Sequence, residues 1–279
     1  MPDSADGLSP VRLLPRSCQL LQRSAMSPVW DPWAVLQAPR PYVLVLLNQA
    51  VEDRALLAKL WNTAAYRVTV DGGTSVWLKV AKDIGTGVDS PVPNLICGDL
   101  DSADMANVKY FEGLGAKVVA TPDQDQTDFT KALVELASLR RQEEEGVAGA
   151  EAVFAFVEIG GRMDHVMGNI QSLFLAPRLA PALPPIYLCS SHSLSWLLPP
   201  GQHRLAVPQP APLHCGLLPI DGPAIVSTKG LQWDLTDQEL RFGGLVSTSN
   251  SFSAGCQEVT VDTDSTVLWT MDLPHRGGQ

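Results

Sequence analysis

The chain has 279 residues and a net charge of −10, enough length for a large core and no basic stripe for a phosphate backbone, which excludes a general nucleic-acid binder. A hydrophobic fraction of 45% and a charged fraction of 18% are those of an ordinary globular protein, and no apolar run is long enough to span a bilayer, so no membrane partner is expected. Cys18, Cys97, Cys189, Cys215 and Cys256 are irregularly spaced, with no CxxC pair and no secretory signal, so reduced thiols in the cytoplasm are expected.

In chain order, residues 1–40 come first and differ from the rest: from Val11 the stretch holds Arg12, Arg16 and Arg23 and has no acid until Asp31, and no periodic pattern is visible. A disordered tail is expected there; a mitochondrial transit peptide is the other reading, against which Pro15 interrupts any amphipathic helix. From Tyr42 the pattern becomes regular. "YVLVLLN" reads as a buried strand and "EDRALLAKLWNTA" as a helix with Leu56, Leu57, Leu60 and Trp61 on one face. "YRVTVDGG" is a second strand ending in a glycine turn, and "NLICGD" a third, followed by a helix that stops at Gly113. "AKVVATP" is a fourth strand, with a helix from about Gln126 to Arg141, and "VFAFVEIGG" a fifth, with the helix "MDHVMGNIQSLFLA" behind it. Continuous apolar strands alternating with helices predict a doubly wound parallel α/β domain over residues 41–180. After "PRLAPALPP" the segments shorten, alternate and gain β-branched residues, which predicts an all-β, jelly-roll-like sandwich over residues 181–273.

Ligands of parallel α/β sheets bind outside the carboxyl ends of the strands. That rule brings Asp71, Asp99, Asp101, Asp125, Asp128 and Asp164 to one edge. Each has a local explanation, as a turn, a helix cap, a first-turn acid, or a partner for Lys131 or Arg162. Together they would repel one another by about 1 kcal/mol per pair at 4 Å even in water. One magnesium-phosphate site accounts for all of them, with Gly72, Gly73, Gly160 and Gly161 letting backbone approach phosphate oxygens and Arg162 binding them in bidentate fashion. There is no GxxxxGK[ST] loop, no GxGxxG, no GxSxG and no zinc spacing among the histidines.

"GDLDS" followed by "TPDQDQTDFTKAL" resembles the thiamine pyrophosphokinase family, which typically carries GDFDS and TPDQDHTDFTKAL. "LNQ", "DGG", "GGRMDH", "GLLPI", "KGLQWDL" and "LVSTSN" follow the same family order, so the resemblance spans about Tyr42 to Met271. It implies a homodimer that transfers the pyrophosphoryl group of ATP to the hydroxyl of thiamine, giving thiamine diphosphate and AMP. It further implies that Asp99, Asp101 and Asp128 hold Mg²⁺, with Asp71 among the catalytic acids. Gln124, Thr127, Lys131, Arg162 and Asp164 would line the nucleotide pocket, and Ser249, Asn250 and Trp233 would contact the vitamin. Gln126 stands where the family usually has histidine, Leu100 where it has phenylalanine, and Glu158-Ile159 where it often has further glycines. Two other readings stay open at this point: a haloacid-dehalogenase-type phosphatase using Asp99-x-Asp101, and a non-catalytic vitamin- or nucleotide-binding protein.

Overall fold

The computed structural model describes residues 28–37, 40–84, 92–123 and 125–273. The elements are β1 (Val29–Trp30), α1 (Pro32–Gln37), β2 (Tyr42–Leu46), α2 (Arg54–Thr63), β3 (Tyr66–Val70), α3 (Gly73–Asp83), β4 (Leu95–Gly98), α4 (Met105–Gly113), β5 (Lys117–Ala120), α5 (Asp128–Arg141), β6 (Ala152–Phe156) and α6 (Met163–Leu179). Among the described residues, strands follow: β7 (Ile186–Cys189), β8 (Ser193–Leu198), β9 (Gly201–Ala206), β10 (Cys215–Leu218), β11 (Ala224–Lys229), β12 (Gln238–Leu240), β13 (Ser247–Asn250), β14 (Glu258–Thr263) and β15 (Val267–Asp272). Short polar residues start the helices where the sequence places them. Asp53 caps α2 by accepting from the Leu56 N–H at 2.8 Å, Asp104 caps α4, and Thr127 caps α5 through the Thr130 N–H.

Six strands run parallel in the order β7-β6-β2-β3-β4-β5, with helices on both faces, which is the doubly wound fold expected. Alternate residues of β2 serve the two faces: Leu44 and Leu46 meet α2, α3 and α4, while Val43 and Val45 belong with α5 and α6. The chain order reverses between β2 and β6, so their carboxyl ends flank the crevice where such sheets bind ligands.

Four features differ from the sequence reading. The boundary expected at 180/181 does not interrupt the sheet: β7 still pairs in parallel with β6, and antiparallel β8, β15, β10 and β13 extend the same sheet to ten strands. The second sheet, β1-β9-β14-β11-β12, closes the sandwich, and its inward residues (Leu205, Val226, Val259, Val261) share one core with Trp196, Leu217 and Trp269. The expected tail is folded in part. Val29 and Trp30 pair in parallel with β9, and Trp33 and Val35 of α1 are buried in the same core; the rest of that expectation, over residues 1–27, lies outside the described residues. Helix α3 had no counterpart in the sequence reading, because Gly72, Gly73 and several β-branched residues hide the Thr74–Trp77–Val80 face that it buries. Finally, α6 continues two residues past Pro177, where a break was expected.

Trp30 is fixed by chemistry as well as packing. Its indole N–H donates to His203 Nδ1 at 3.1 Å, and His203 Nε2 faces the Pro199 carbonyl at 2.7 Å, so the ring is neutral with its proton on Nε2. Burial holds the His203 pKa below the usual histidine range, and the Pro199 carbonyl offsets this only in part. The unfolded chain therefore binds a proton there first, so this contribution to stability is complete above about pH 6.5 and is lost as pH falls through the lowered folded value. Thermal melts of wild type and His203→Gln at pH 7.5 and 5.5 should show the gap between them narrowing at the lower pH; a constant gap contradicts the neutral assignment. Trp33→Ala should cost about 3–5 kcal/mol in urea unfolding, the usual loss for a buried tryptophan. A change below 1 kcal/mol would mean that α1 is dispensable to the core.

Candidate active site

The site begins with strand register. In the parallel pair, Val70 faces Cys97, and the Asp71 N–H donates to the Cys97 carbonyl at 2.8 Å, so Asp71 lands beside Gly98 and Asp99. Gly98 has φ +138°, and a β-carbon there would come within 3.1 Å of the Asp71 β-carbon. Only glycine lets the two strand ends close this far. Asp71 (φ +50°) and Leu100 (φ +63°) are themselves in the left-handed region, a concentration of backbone strain at one loop pair. The Asp101 N–H folds back onto Asp99 Oδ1 at 3.2 Å.

As a result Asp71, Asp99 and Asp101 each offer a carboxylate oxygen within 4.8 Å of the others, on a gradient from buried to exposed. Asp71 Oδ1 is buried and unpartnered among the described residues, and so is Thr121 Oγ1, whose backbone N–H bonds the Gly98 carbonyl at 2.7 Å. Asp101 is held above the usual carboxyl range, chiefly by the charge of Asp99 and then by desolvation, with Asp71 and Asp128 adding to it. A buried carboxyl group with an open oxygen, beside two further carboxylates, fits a hard divalent cation with oxygen ligands.

Asp128 is placed differently. Its Oδ1 accepts from Lys131 Nζ at 2.6 Å and from the Asp99 N–H at 3.3 Å. Lys131 is only 6% exposed, reaches Asp99 Oδ2 at 3.5 Å and donates to the Asp123 carbonyl at 2.9 Å. Burial works against its charge, but Asp128 and Asp99 outweigh that and hold its pKa above the usual lysine value. Lys131 is thus an internal cation that joins Asp128 to the edge of the three-carboxylate group. Thr127 caps α5, and its hydroxyl, with that of Thr130, meets Ser172 of α6. Arg162 and Asp164 form an exposed bidentate pair with each other at the start of α6, and Asp164 is not among the three clustered acids. Asp125 is exposed in a turn, its N–H on Asp123 Oδ1. Gln124 lies outside the described residues.

In the β half, Asn250 is 4% exposed and its amide is fully engaged: Oδ1 accepts from the Trp233 and Ser251 N–H groups, and Nδ2 donates to the Trp233 carbonyl at 2.9 Å. It clamps the backbone of Trp233, whose ring is 61% exposed. Ser249 is exposed and left-handed (φ +55°). Sequence reasoning assigned no role to Asn48, Ser102 or Glu158. Asn48 and Ser102 bond each other beside Asp71, and buried Glu158 accepts from the Glu52 and Ser191 N–H groups and the Ser191 hydroxyl. Ser102 sits inside "GDLDS", so the motif did carry a signal for it.

Residues 57–181 match the family model for the thiamin pyrophosphokinase catalytic domain, and residues 202–268 match that for the thiamin pyrophosphokinase vitamin B1 binding domain. The chain is 35% identical over 246 residues to thiamine pyrophosphokinase 3 of Oryza sativa subsp. japonica, covering 84% of this chain and 88% of the relative. It is 36% identical over 248 residues to thiamine pyrophosphokinase 1 of Arabidopsis thaliana, covering 85% and 88%. Among solved structures, the thiamin pyrophosphokinase from Candida albicans superposes with a TM-score of 0.75 at 21% identity, covering 88% of this chain and 93% of the other. The yeast thiamin pyrophosphokinase superposes at 0.73, with 86% and 89% covered. Lys131→Met leaves two partly buried carboxylates without their counter-ion and should destabilise the fold by on the order of 3 kcal/mol. Unfolding in urea at pH 7.5 measures it, and an unchanged midpoint would show that solvent already screens the pair.

Proposed function

The chain belongs to the thiamin pyrophosphokinase family, and we propose that its carboxylate edge, with Mg²⁺ bound, is where the pyrophosphoryl group of ATP is handed to thiamine. The protein is a thiamine diphosphokinase, and the phosphatase and non-catalytic readings fall away with that membership. The observation that carries the site assignment is the convergence of Asp71, Asp99 and Asp101, with one Asp71 oxygen buried and without a partner among the described residues.

A bound divalent cation would neutralise phosphate charge and orient the chain of phosphates. The protein's own residues supply the rest. Asp71, Asp99 and Asp101 offer the oxygen ligands, and Lys131 keeps Asp128 and Asp99 at fixed places against their mutual repulsion. We assign Asp128 to the outer margin of the cation site. The loop that carries Gly160, Gly161 and Arg162 supplies backbone amides and a guanidinium to phosphate oxygens once Arg162 exchanges Asp164 for them. Next to the acids, a pocket of about 290 Å³ shares Asn48 with the site and is lined by Val51, Val76, Arg54 and Lys79. Lys79, with Arg54 that also pairs with Asp83, suits the anionic nucleotide and disfavours a cationic thiazolium. Transfer of this kind needs positioning and charge stabilisation, and no covalent nucleophile is required.

Thiamine recognition falls to the β half. Trp233 presents an exposed aromatic face to a cationic ring, and Asn250 fixes it there through both of its backbone groups. Phe242 and Leu245, also between β11 and β13, are 64% and 48% exposed, an apolar surface that suits a second copy of the chain. On this reading the active unit is a homodimer in which one protomer's Trp233 serves the partner's carboxylate edge.

Asp101→Asn should lower kcat a hundredfold or more, the scale of about 3 kcal/mol of lost transition-state stabilisation, with an unchanged circular-dichroism spectrum. Wild type should form AMP and thiamine diphosphate in equal amounts, and near-normal turnover by the variant would sink the cation assignment. For the shared site, Asp101→Asn and Trp233→Ala subunits mixed under conditions of proven exchange should regain part of the activity that each lacks alone. No recovery would place both halves of the site within one protomer.

A further inference from the structure

Asp71 has two carboxylate oxygens in unlike circumstances. Oδ1 is buried with no partner among the described residues, whereas Oδ2 accepts the hydroxyl of Ser102. That hydroxyl has little freedom to do otherwise, because its oxygen accepts the Asn48 amide N–H at 2.9 Å and its single proton is left for Asp71. Asn48 comes from the loop after β2, Asp71 from the end of β3 and Ser102 from the loop after β4. The relay therefore ties three adjacent loops together at one carboxylate. Gly72 is part of the arrangement, since a β-carbon there would collide with the Asn48 amide group.

Resting on the cation reading above, we propose that Asn48 and Ser102 are positioning residues that turn Asp71 into a one-oxygen ligand and so bias the site toward a small octahedral cation. Asp71 offers one oxygen within 4.8 Å of one each from Asp99 and Asp101, and with Oδ2 taken by Ser102 the oxygen left for a cation is Oδ1. Mg²⁺ demands near-ideal octahedral geometry and takes carboxylates readily through single oxygens. Ca²⁺ is larger, takes six to eight oxygens and gains from carboxylates that bind through both. Removing the Ser102 hydroxyl frees Oδ2, loosens the aim of Oδ1 and opens the two-oxygen mode. The expected consequence is weaker binding of small divalent ions together with a relative gain for Ca²⁺.

The test is direct binding in the absence of ATP and thiamine. Mn²⁺ titration followed by electron paramagnetic resonance gives the affinity, and displacement by Mg²⁺ or Ca²⁺ gives the selectivity, for wild type, Ser102→Ala, Ser102→Thr, Asn48→Ala and Asp101→Asn. Ser102→Ala should bind Mn²⁺ about tenfold more weakly, the lower end of the usual cost of losing a group that orients a ligand. Its competition should move from Mg²⁺ toward Ca²⁺, Asn48→Ala should move the same way, and Ser102→Thr, which keeps the hydroxyl, should match wild type. Wild-type affinity and selectivity in Ser102→Ala, or a loss shared equally by Mg²⁺ and Ca²⁺, overturns the proposal while leaving the cation site standing. Equal Mn²⁺ binding by wild type and Asp101→Asn removes the cation site itself, and the relay's role with it.

Discussion

Everything at the carboxyl edge follows from two parallel strands ending in register on acidic residues. The β3–β4 pairing holds the Asp71 backbone to Cys97, and the β4 chain then turns through Gly98 directly into Asp99. The carboxylates are not drawn together by attraction; the backbone ladder forces them together, and the raised pKa of Asp101 is the residue of that conflict. A fold tolerates such crowding where binding a cation gives it a return. Lys131 neutralises one side of the cluster from within the protein, leaving the Asp71 side for charge brought in from solution.

The division into two halves is functional more than architectural. One ten-stranded sheet runs through both, and the same hydrophobic core continues from beneath α2 and α3 into the space between the two sheets of the sandwich. On that face of the long sheet, the five-stranded sheet takes over the covering role that the helices have elsewhere. Within each protomer the residues proposed to hold phosphate and those proposed to hold vitamin are therefore carried by one continuous core, joined through β7 and β8.

Legibility in the sequence tracked how local each signal was. Buried parallel strands such as "YVLVL" and "VFAF" announce themselves by composition, and Asp-x-Asp after an apolar run marks a strand end, so the acidic edge is visible in the sequence. The grouping within that edge was not, because it depends on which strands are neighbours: β3 and β4 lie side by side, whereas Asp128 is carried away on α5 and meets Lys131 one turn on. Asn250 shows the same limit. The family resemblance implied a ligand contact for it, and only the fold reveals that its amide bonds the Trp233 backbone. Trp30 and Trp33 were unreadable as structure because their partners lie in β9 and the sandwich core, far along the chain.

That last separation has a meaning in time. The indole of Trp30 and its partner His203 are 173 positions apart. At a synthesis rate of about 5–20 residues per second, a growing chain holds Trp30 for roughly 10–35 s before β9 has left the ribosome. Through that interval the parallel sheet can assemble around β2, β3, β4 and β6, while two tryptophans of the leading segment stay uncovered. Trp30 and Trp33 thus find their place only after β9 has been made, and the sandwich closes on them as a late seam. Until β9 and the sandwich core are made, the two indoles are apolar surface open to chaperones and to aggregation.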